Sequence, residues 1–152
     1  MAEYSANAVQ TVNPGETIIF TESPVPCTRG LVRHRDETGN FLLAGYLPGY
    51  YPRCARSANY LIGFGANIAI PEGGTVEPIS VAISIDGATM PASQMIVTPA
   101  ATEEYFNVSR EINAEIWRGC CESVSVRNTS TQPILVQNAN IIFSRPDLMV
   151  TR

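Results

Sequence analysis

Through the middle and C-terminal parts of the chain, apolar and polar residues alternate with a period of two. From Tyr60 to Ile70 the even positions hold Tyr60, Ile62, Phe64, Ala66, Ile68 and Ile70, while the odd ones include Gly63, Gly65 and Asn67. Successive side chains on a strand point to opposite faces, so this pattern predicts a strand with one face in a core. Ile79, Val81, Ile83 and Ile85 alternate with Ser80, Ala82, Ser84 and Asp86 and predict a half-buried strand. Phe106, Val108, Ile112, Ala114 and Ile116 share one face against Tyr105, Asn107, Ser109, Glu111, Asn113 and Glu115. Arg110 interrupts the apolar face, as a residue at an edge or an interface would.

Turn-forming residues separate these runs. Asn13-Pro14-Gly15, Asp36 to Asn40, Pro71 to Thr75, Asp86-Gly87 and Asn128 to Pro133 supply side chains that tolerate positive φ or preset a bend. Val124 and Val126 before the last of these, and Ile134 to Phe143 after it, predict a hairpin. The apolar phase slips between Val136 and Ala139, as a β-bulge requires. Ala100 to Tyr105 is the best helical candidate and allows a single turn. About eight to ten short strands in one unit predict an all-β, two-sheet jelly-roll sandwich, with a closed up-and-down barrel as the competing architecture. No repeat or low-complexity linker divides residues 1–152, so we expect a single domain with its core at about 8–144 and a polar tail over 145–152.

Composition agrees with the pattern. Valine, isoleucine and threonine contribute 38 of the 152 residues against seven leucines, and β-branched side chains suit a pleated surface better than a helix. Charged residues make up only 16%, so solubility rests on neutral polar groups. The net charge is −4, all ten basic residues are arginine, and no basic block occurs. A nucleic-acid partner needs clustered cations to displace counterions, and none is expected. No stretch approaches the ~20 apolar residues of a membrane span, so no membrane partner is expected either. The opening MAEYSANAVQTVNPG lacks the basic-then-apolar layout of a signal peptide, which predicts synthesis in the cytoplasm.

The pieces GETIIF, GNFLLAG, YLIGFGANIAIPEGGTVEPISVAISIDG, EYFNVS and SVSVRNTSTQPILVQNANI resemble the C-terminal jelly-roll domains of bacterial collagen-like spore-surface glycoproteins. Those domains belong structurally with the complement and tumour-necrosis-factor-like trimers, and small clostridial and phage proteins of similar sequence share the likeness. The resemblance spans roughly residues 8 to 144. It implies a ten-strand sandwich forming a tight homotrimer through a central three-fold contact, used as a fibre cap, adhesive tip or ligand-binding head. The chain departs from the spore-surface members in having no collagen stalk.

Catalytic readings find little support. The one histidine, His34, lies between arginines in GLVRHRDETGN with no recognisable nucleophile, which favours a surface or turn role. No GxSxG, HExxH, P-loop or dinucleotide fingerprint is present. The glycines of GFGAN fall within a strand pattern and are expected to permit close backbone packing. Glu103 with Glu104, or Glu111 with Glu115, make poor carboxylate pairs, because neighbours on a strand face opposite ways and the second pair sits on the solvated face. With Asp36, Asp86 and Asp147 as the only aspartates, no loop is acidic enough for calcium. No metal, no cofactor and no enzymatic activity are expected. Asn107 and Asn128 match glycosylation acceptors, which carry little weight without export.

Cys27, Cys54, Cys120 and Cys121 admit three readings: reduced thiols, a cross-link from Cys27 or Cys54 to one of the adjacent pair, or a metal site of Cys27, His34, Cys54 and Cys120. The segment Gly45 to Arg56 places Tyr46, Tyr50 and Tyr51 beside Arg53 and Arg56. Aromatic anchors beside arginine are enriched at recognition surfaces, and this loop is the candidate binding site. Its alternative role is to cover the end of the sandwich or a neighbouring subunit.

Together these readings give a non-enzymatic structural protein, a trimeric jelly-roll subunit exposed on a larger particle. A phage virion decoration or fibre-head protein comes first, and a spore- or cell-surface adhesive or ligand-binding trimer second. Expected partners are the chain itself, other structural proteins of the particle, and a surface glycan or receptor.

Overall fold

The computed structural model describes residues 1–27, 30–45, 57–117 and 121–146. Its strands are β1 (Ala2–Ala6), β2 (Gln10–Val12), β3 (Glu22–Val25), β4 (Val32–His34), β5 (Phe41–Leu43), β6 (Ser57–Ala69), β7 (Ile79–Ile85), β8 (Ala88–Thr89), β9 (Met95–Val97), β10 (Phe106–Trp117), β11 (Glu122–Asn128) and β12 (Ile134–Ser144). The first sheet has the order β10-β6-β12-β1-β3, with β2 also on β12; the second runs β4-β5-β11-β7-β8, with β9 also on β7. All pairings are antiparallel. The two layers make a jelly-roll sandwich and not a closed barrel.

The core is what the alternation requires. Tyr60, Ile62, Phe64, Ala66, Ile68 and Ile70 are buried along β6, and Val124, Val126, Ile134, Val136, Ile141 and Phe143 close on them. Burying such side chains contributes roughly 1.5–3 kcal/mol each, which is why the register of every long strand is tightly held. At one end, Phe20, Phe41, Phe143 and Tyr4 form an aromatic cluster with centroid separations of 4.9 to 6.3 Å around Phe41 and Tyr4. The tilted and edge-on geometries place ring edges against ring faces, as the π quadrupole favours.

Several expectations change once pairing is known. The predicted hairpin of Val124–Val126 with Ile134–Phe143 does not form: β11 pairs with β5 and β7, whereas β12 pairs with β6, β1 and β2 in the other sheet. The turn between them crosses from layer to layer. The predicted bulge is present, with a register shift between Gln137 and Asn140 and Asn138 at φ 52°. Strand β7 is buried on both faces, since Ser80, Ala82 and Ser84 are covered as well as Ile79, Val81 and Ile83. Ser80 Oγ lies 2.6 Å from Thr129 Oγ1 and Ser84 Oγ 3.4 Å from Thr89 Oγ1, so hydroxyl pairs make that second burial tolerable.

Ala100 to Tyr105 is a turn with Glu103 at φ 58°, and the described helical turn lies at Pro91–Ser93. The sandwich starts at Ala2, not near residue 8, because Ala2, Tyr4 and Ala6 are buried and β1 sits between β12 and β3. Twelve strands are present among the described residues, more than the eight to ten expected, because several span only two or three residues. Arg145, assigned to the polar tail, is 6% exposed. Its Nε donates to the Asn59 carbonyl at 3.0 Å and its guanidinium stands 4.6 Å from the Tyr60 ring centroid.

Candidate functional site

His34 is the sole imidazole, and its surroundings define its chemistry. It ends β4 with its ring stacked on Phe41 at 4.5 Å and 20°, and 4.9 Å from Tyr4. Nε2 is 2.9 Å from the Thr38 carbonyl, so this nitrogen carries the proton and donates. Nδ1 is buried without a hydrogen-bond partner. The ring packs within the aromatic cluster and, through Nε2, also holds the turn beyond β4, as expected of a turn histidine.

Among the described residues the other chemistry-bearing side chains do not converge. Glu111 and Glu115 are exposed on the outward side of β10, with Glu115 Oε1 accepting from Ser57 Oγ at 2.6 Å. Glu103 and Glu104 lie in the turn before β10. Burial, and secondarily the neighbouring Asp86, raise the Glu122 carboxyl above the ordinary carboxylate range. Asp86 Oδ1 accepts from the Ser123 backbone N–H at 2.8 Å. Among the described residues no three His, Cys, Asp or Glu side chains gather as a metal site.

Cys27 is half-buried against the core, and its backbone N–H bonds the Tyr4 hydroxyl. Burial pushes the Tyr4 hydroxyl above its ordinary pKa against that bond. Cys121 is in a disulfide. Cys54 and Cys120 lie outside the described residues, as do Tyr46, Tyr50, Tyr51, Arg53 and Arg56 of the candidate binding loop. Asn128, a glycosylation match, is 1% exposed with its amide fully bonded, whereas Asn107 is exposed and bonds Asn67 at 3.1 Å.

A different feature lies on the outside of the first sheet. The outward face of the first sheet presents Leu61, Gly63, Gly65 and Asn67 on β6, flanked by Ser109, Glu111 and Asn113 on β10 and by Asn140 and Ile142 on β12. Gly63 and Gly65 form the floor of a trough walled by Ser109, Glu111, Asn140 and Ile142. Close packing within the chain does not explain these glycines. A Cβ at Gly65 would meet nothing nearer than the Val108 carbonyl at 3.8 Å, and one at Gly63 nothing nearer than Glu111 Cγ at 3.5 Å. Neither has positive φ. Glycine in a strand interior costs roughly 0.5–1 kcal/mol relative to alanine, and the protomer gains nothing in exchange. Arg110, on the edge strand β10, reaches toward the Gln94 carbonyl at 3.5 Å beside this trough. Trp117, at the end of the same strand, is 58% exposed. Alternation located this face, but the meaning of its glycines became visible only when their surroundings were known.

No family model and no curated protein matches the chain. Solved structures do match over nearly its whole length. The globular domain of a zebrafish complement 1qA protein aligns with a TM-score of 0.59 at 10% identity, covering 93% of this chain and 94% of that one. The Eiger TNF structure from S. frugiperda aligns at 0.63 and 12%, covering 95% and 90%. Murine APRIL aligns at 0.52 and 10%, covering 92% and 97%. The fold is therefore the complement/TNF-like jelly roll.

Proposed function

We propose that the chain is a non-catalytic structural module that assembles as a homotrimer through the outward face of its first sheet. The glycine trough of β6 carries this reading: Gly63 and Gly65 have room for side chains inside the protomer, so their absence serves a surface approaching from outside. Outward positions of β1, β6, β10 and β12 are rich in asparagine, serine and leucine or isoleucine, with Glu3, Glu111 and Glu115 among them and Arg110 lining the trough. The Glu3 and Glu115 carboxylates already accept hydrogen bonds from Asn140 and Ser57, and the amides of this face are able to pair across an interface. The complement/TNF-like fold agrees with this mode of assembly.

Within that reading the trimer is an exposed component of a larger particle, a phage decoration or fibre-head subunit. The low charge density and the lysine-free composition support a protein built into a particle. The resemblance to spore-surface jelly rolls favours a second reading, an adhesive trimer on a spore or cell surface. Sedimentation velocity at micromolar concentration tests assembly: a trimer is expected, and a monomer refutes it. Mass spectrometry of purified particles separates the two locations, with virions containing the chain supporting the first and spores or envelopes the second.

A further inference from the structure

The second sheet has a polar concavity on its outer face. Along β4 and into the turn beyond it, Val32 is buried, Arg33 exposed, His34 half-buried and Arg35 exposed; along β5, Phe41 and Leu43 are buried while Asn40 and Leu42 face outward. Arg33 pairs with Leu42, and Leu42 with Ser123, so the three form one row across neighbouring strands. Strands stand about 4.8 Å apart, so an arginine, an apolar side chain and a hydroxyl lie along a row of roughly 10 Å, the reach of a sugar ring with its substituents or of a disaccharide. Arg35 and Asn40 flank the row at the turn, and the whole encloses about 420 Å³.

The turn that carries Arg35 and Asn40 is closed by its own hydrogen bonds. Thr38 donates to the Arg35 carbonyl from its N–H at 3.1 Å and from Oγ1 at 2.7 Å, and the Asn40 N–H donates to Thr38 Oγ1 at 3.3 Å. His34 donates to the Thr38 carbonyl from beneath. At Gly39 any Cβ would run into the Ile18 carbonyl, so the turn is pressed against the neighbouring segment. The backbone under the concavity is thus ordered before any ligand arrives, which lowers the cost of binding. Among the described residues neither the Arg33 nor the Arg35 guanidinium has an ion-pair partner, although Asp36 and Glu37 follow in the turn.

The opposite end carries the other sign. Ser123 Oγ donates to Asp86 Oδ1 at 3.3 Å. A ligand along the row therefore meets two guanidiniums at one end, an exposed leucine in the middle, and at the other the Ser123 hydroxyl with the Asp86 carboxylate behind it. One negative charge is attracted at the first end and a second would be repelled at the far end. Hydroxyl groups, in contrast, donate well to Asp86 and Ser123 and exchange hydrogen bonds with Asn40. We propose that this concavity binds a carboxylate-bearing sugar, its carboxylate on Arg33 and Arg35, the C–H face of its ring on Leu42, and its hydroxyls toward Ser123, Asp86 and Asn40. The site is built within one chain and stands independently of trimer assembly.

The test is titration of the isotope-labelled full chain with sialyllactose, with trigalacturonate, and with lactose as a neutral control, read by amide chemical shifts. At least one acidic sugar is expected to shift residues 33–42 and Ser123, and lactose at equal concentration is not. The double variant Arg33→Gln/Arg35→Gln is expected to bind about tenfold more weakly or worse, because it loses two charge-assisted contacts. Should that variant misfold, 0.5 M NaCl must weaken binding to the wild type. Equal binding of lactose, an unaffected double variant, salt-insensitive binding, or selective binding of a sulfated disaccharide or a glutamate-rich peptide overturns the proposal. The Gly65→Arg variant, designed to remain monomeric, is expected to keep sugar binding, so failure of the trimer and failure of this site are distinguishable.

Discussion

The Asn128 side-chain amide, at the end of β11 in the second sheet, donates to the carbonyl of Val12, in β2 of the first sheet, at 2.8 Å. The same amide donates to the Gln132 carbonyl at 2.9 Å, and its oxygen accepts from the Ser130 N–H at 2.8 Å. One buried side chain thus shapes the crossing turn and ties two layers together. Asn128→Ala leaves these backbone groups without partners and is expected to cost about 3 kcal/mol, read as a lowered urea midpoint at unchanged slope.

Tyr60 holds a second junction. Its hydroxyl donates to the Ala44 carbonyl at 2.7 Å and stands 3.1 Å from the Leu31 carbonyl, while Arg145 covers its ring. Tyr60→Phe keeps the ring under Arg145 and removes the hydroxyl alone. A loss of about 1–3 kcal/mol is expected, the cost of an unsatisfied buried acceptor, measured by chemical denaturation.

The bulge in β12 puts Asn138 at φ 52°. Asn138→Gly removes the Cβ from a left-handed conformation at the expense of a looser unfolded chain, so its effect is expected to lie within about 1 kcal/mol of zero. Asn138→Val, β-branched at positive φ, is expected to destabilise by more than about 1 kcal/mol. Paired melting curves of the two variants check the contrast.

Gly65→Arg tests the trough. The protomer has space for the new Cβ, so circular dichroism and the melting transition of the protomer should persist. The long arginine side chain fills the space a neighbouring copy needs. Sedimentation is expected to show monomer where the parent chain shows trimer.

The Glu122 carboxyl is raised by burial first and by Asp86 second. Between its ordinary unfolded value and its higher folded value the native state binds more protons than the unfolded chain. Stability contributed by this group is therefore full below the unfolded pKa and falls as pH rises through the folded one. Glu122→Gln removes that dependence. Denaturation midpoints from acid to neutral pH should decline less steeply in the variant than in the parent.

Period-two alternation made the long strands legible, because a side-chain repeat of two is a local property and burial of one face enforces it over β6 and β10. The bulge before Ala139 was readable for the same reason. Strand partnership was not: Val126 and Ile134 are separated by turn residues that suit a hairpin or a layer crossing equally well, and the bonds of Asn128 to Val12 and Gln132 decide between them. The double burial of β7 depends on hydroxyl partners at Thr129 and Thr89, distant or weak as sequence signals.

By itself, then, the order of residues determined an all-β sandwich, the buried faces of its long strands and its turns, since these follow from local alternation and backbone preference. Only the tertiary structure decided which sheet each strand joins, that Arg145 is buried on Tyr60, that Gly63 and Gly65 face outward with room to spare, and that Arg33, Leu42 and Ser123 stand in one row. Those relations join positions far apart along the chain, where free energy is set by three-dimensional packing and hydrogen-bond closure rather than by any neighbouring residue.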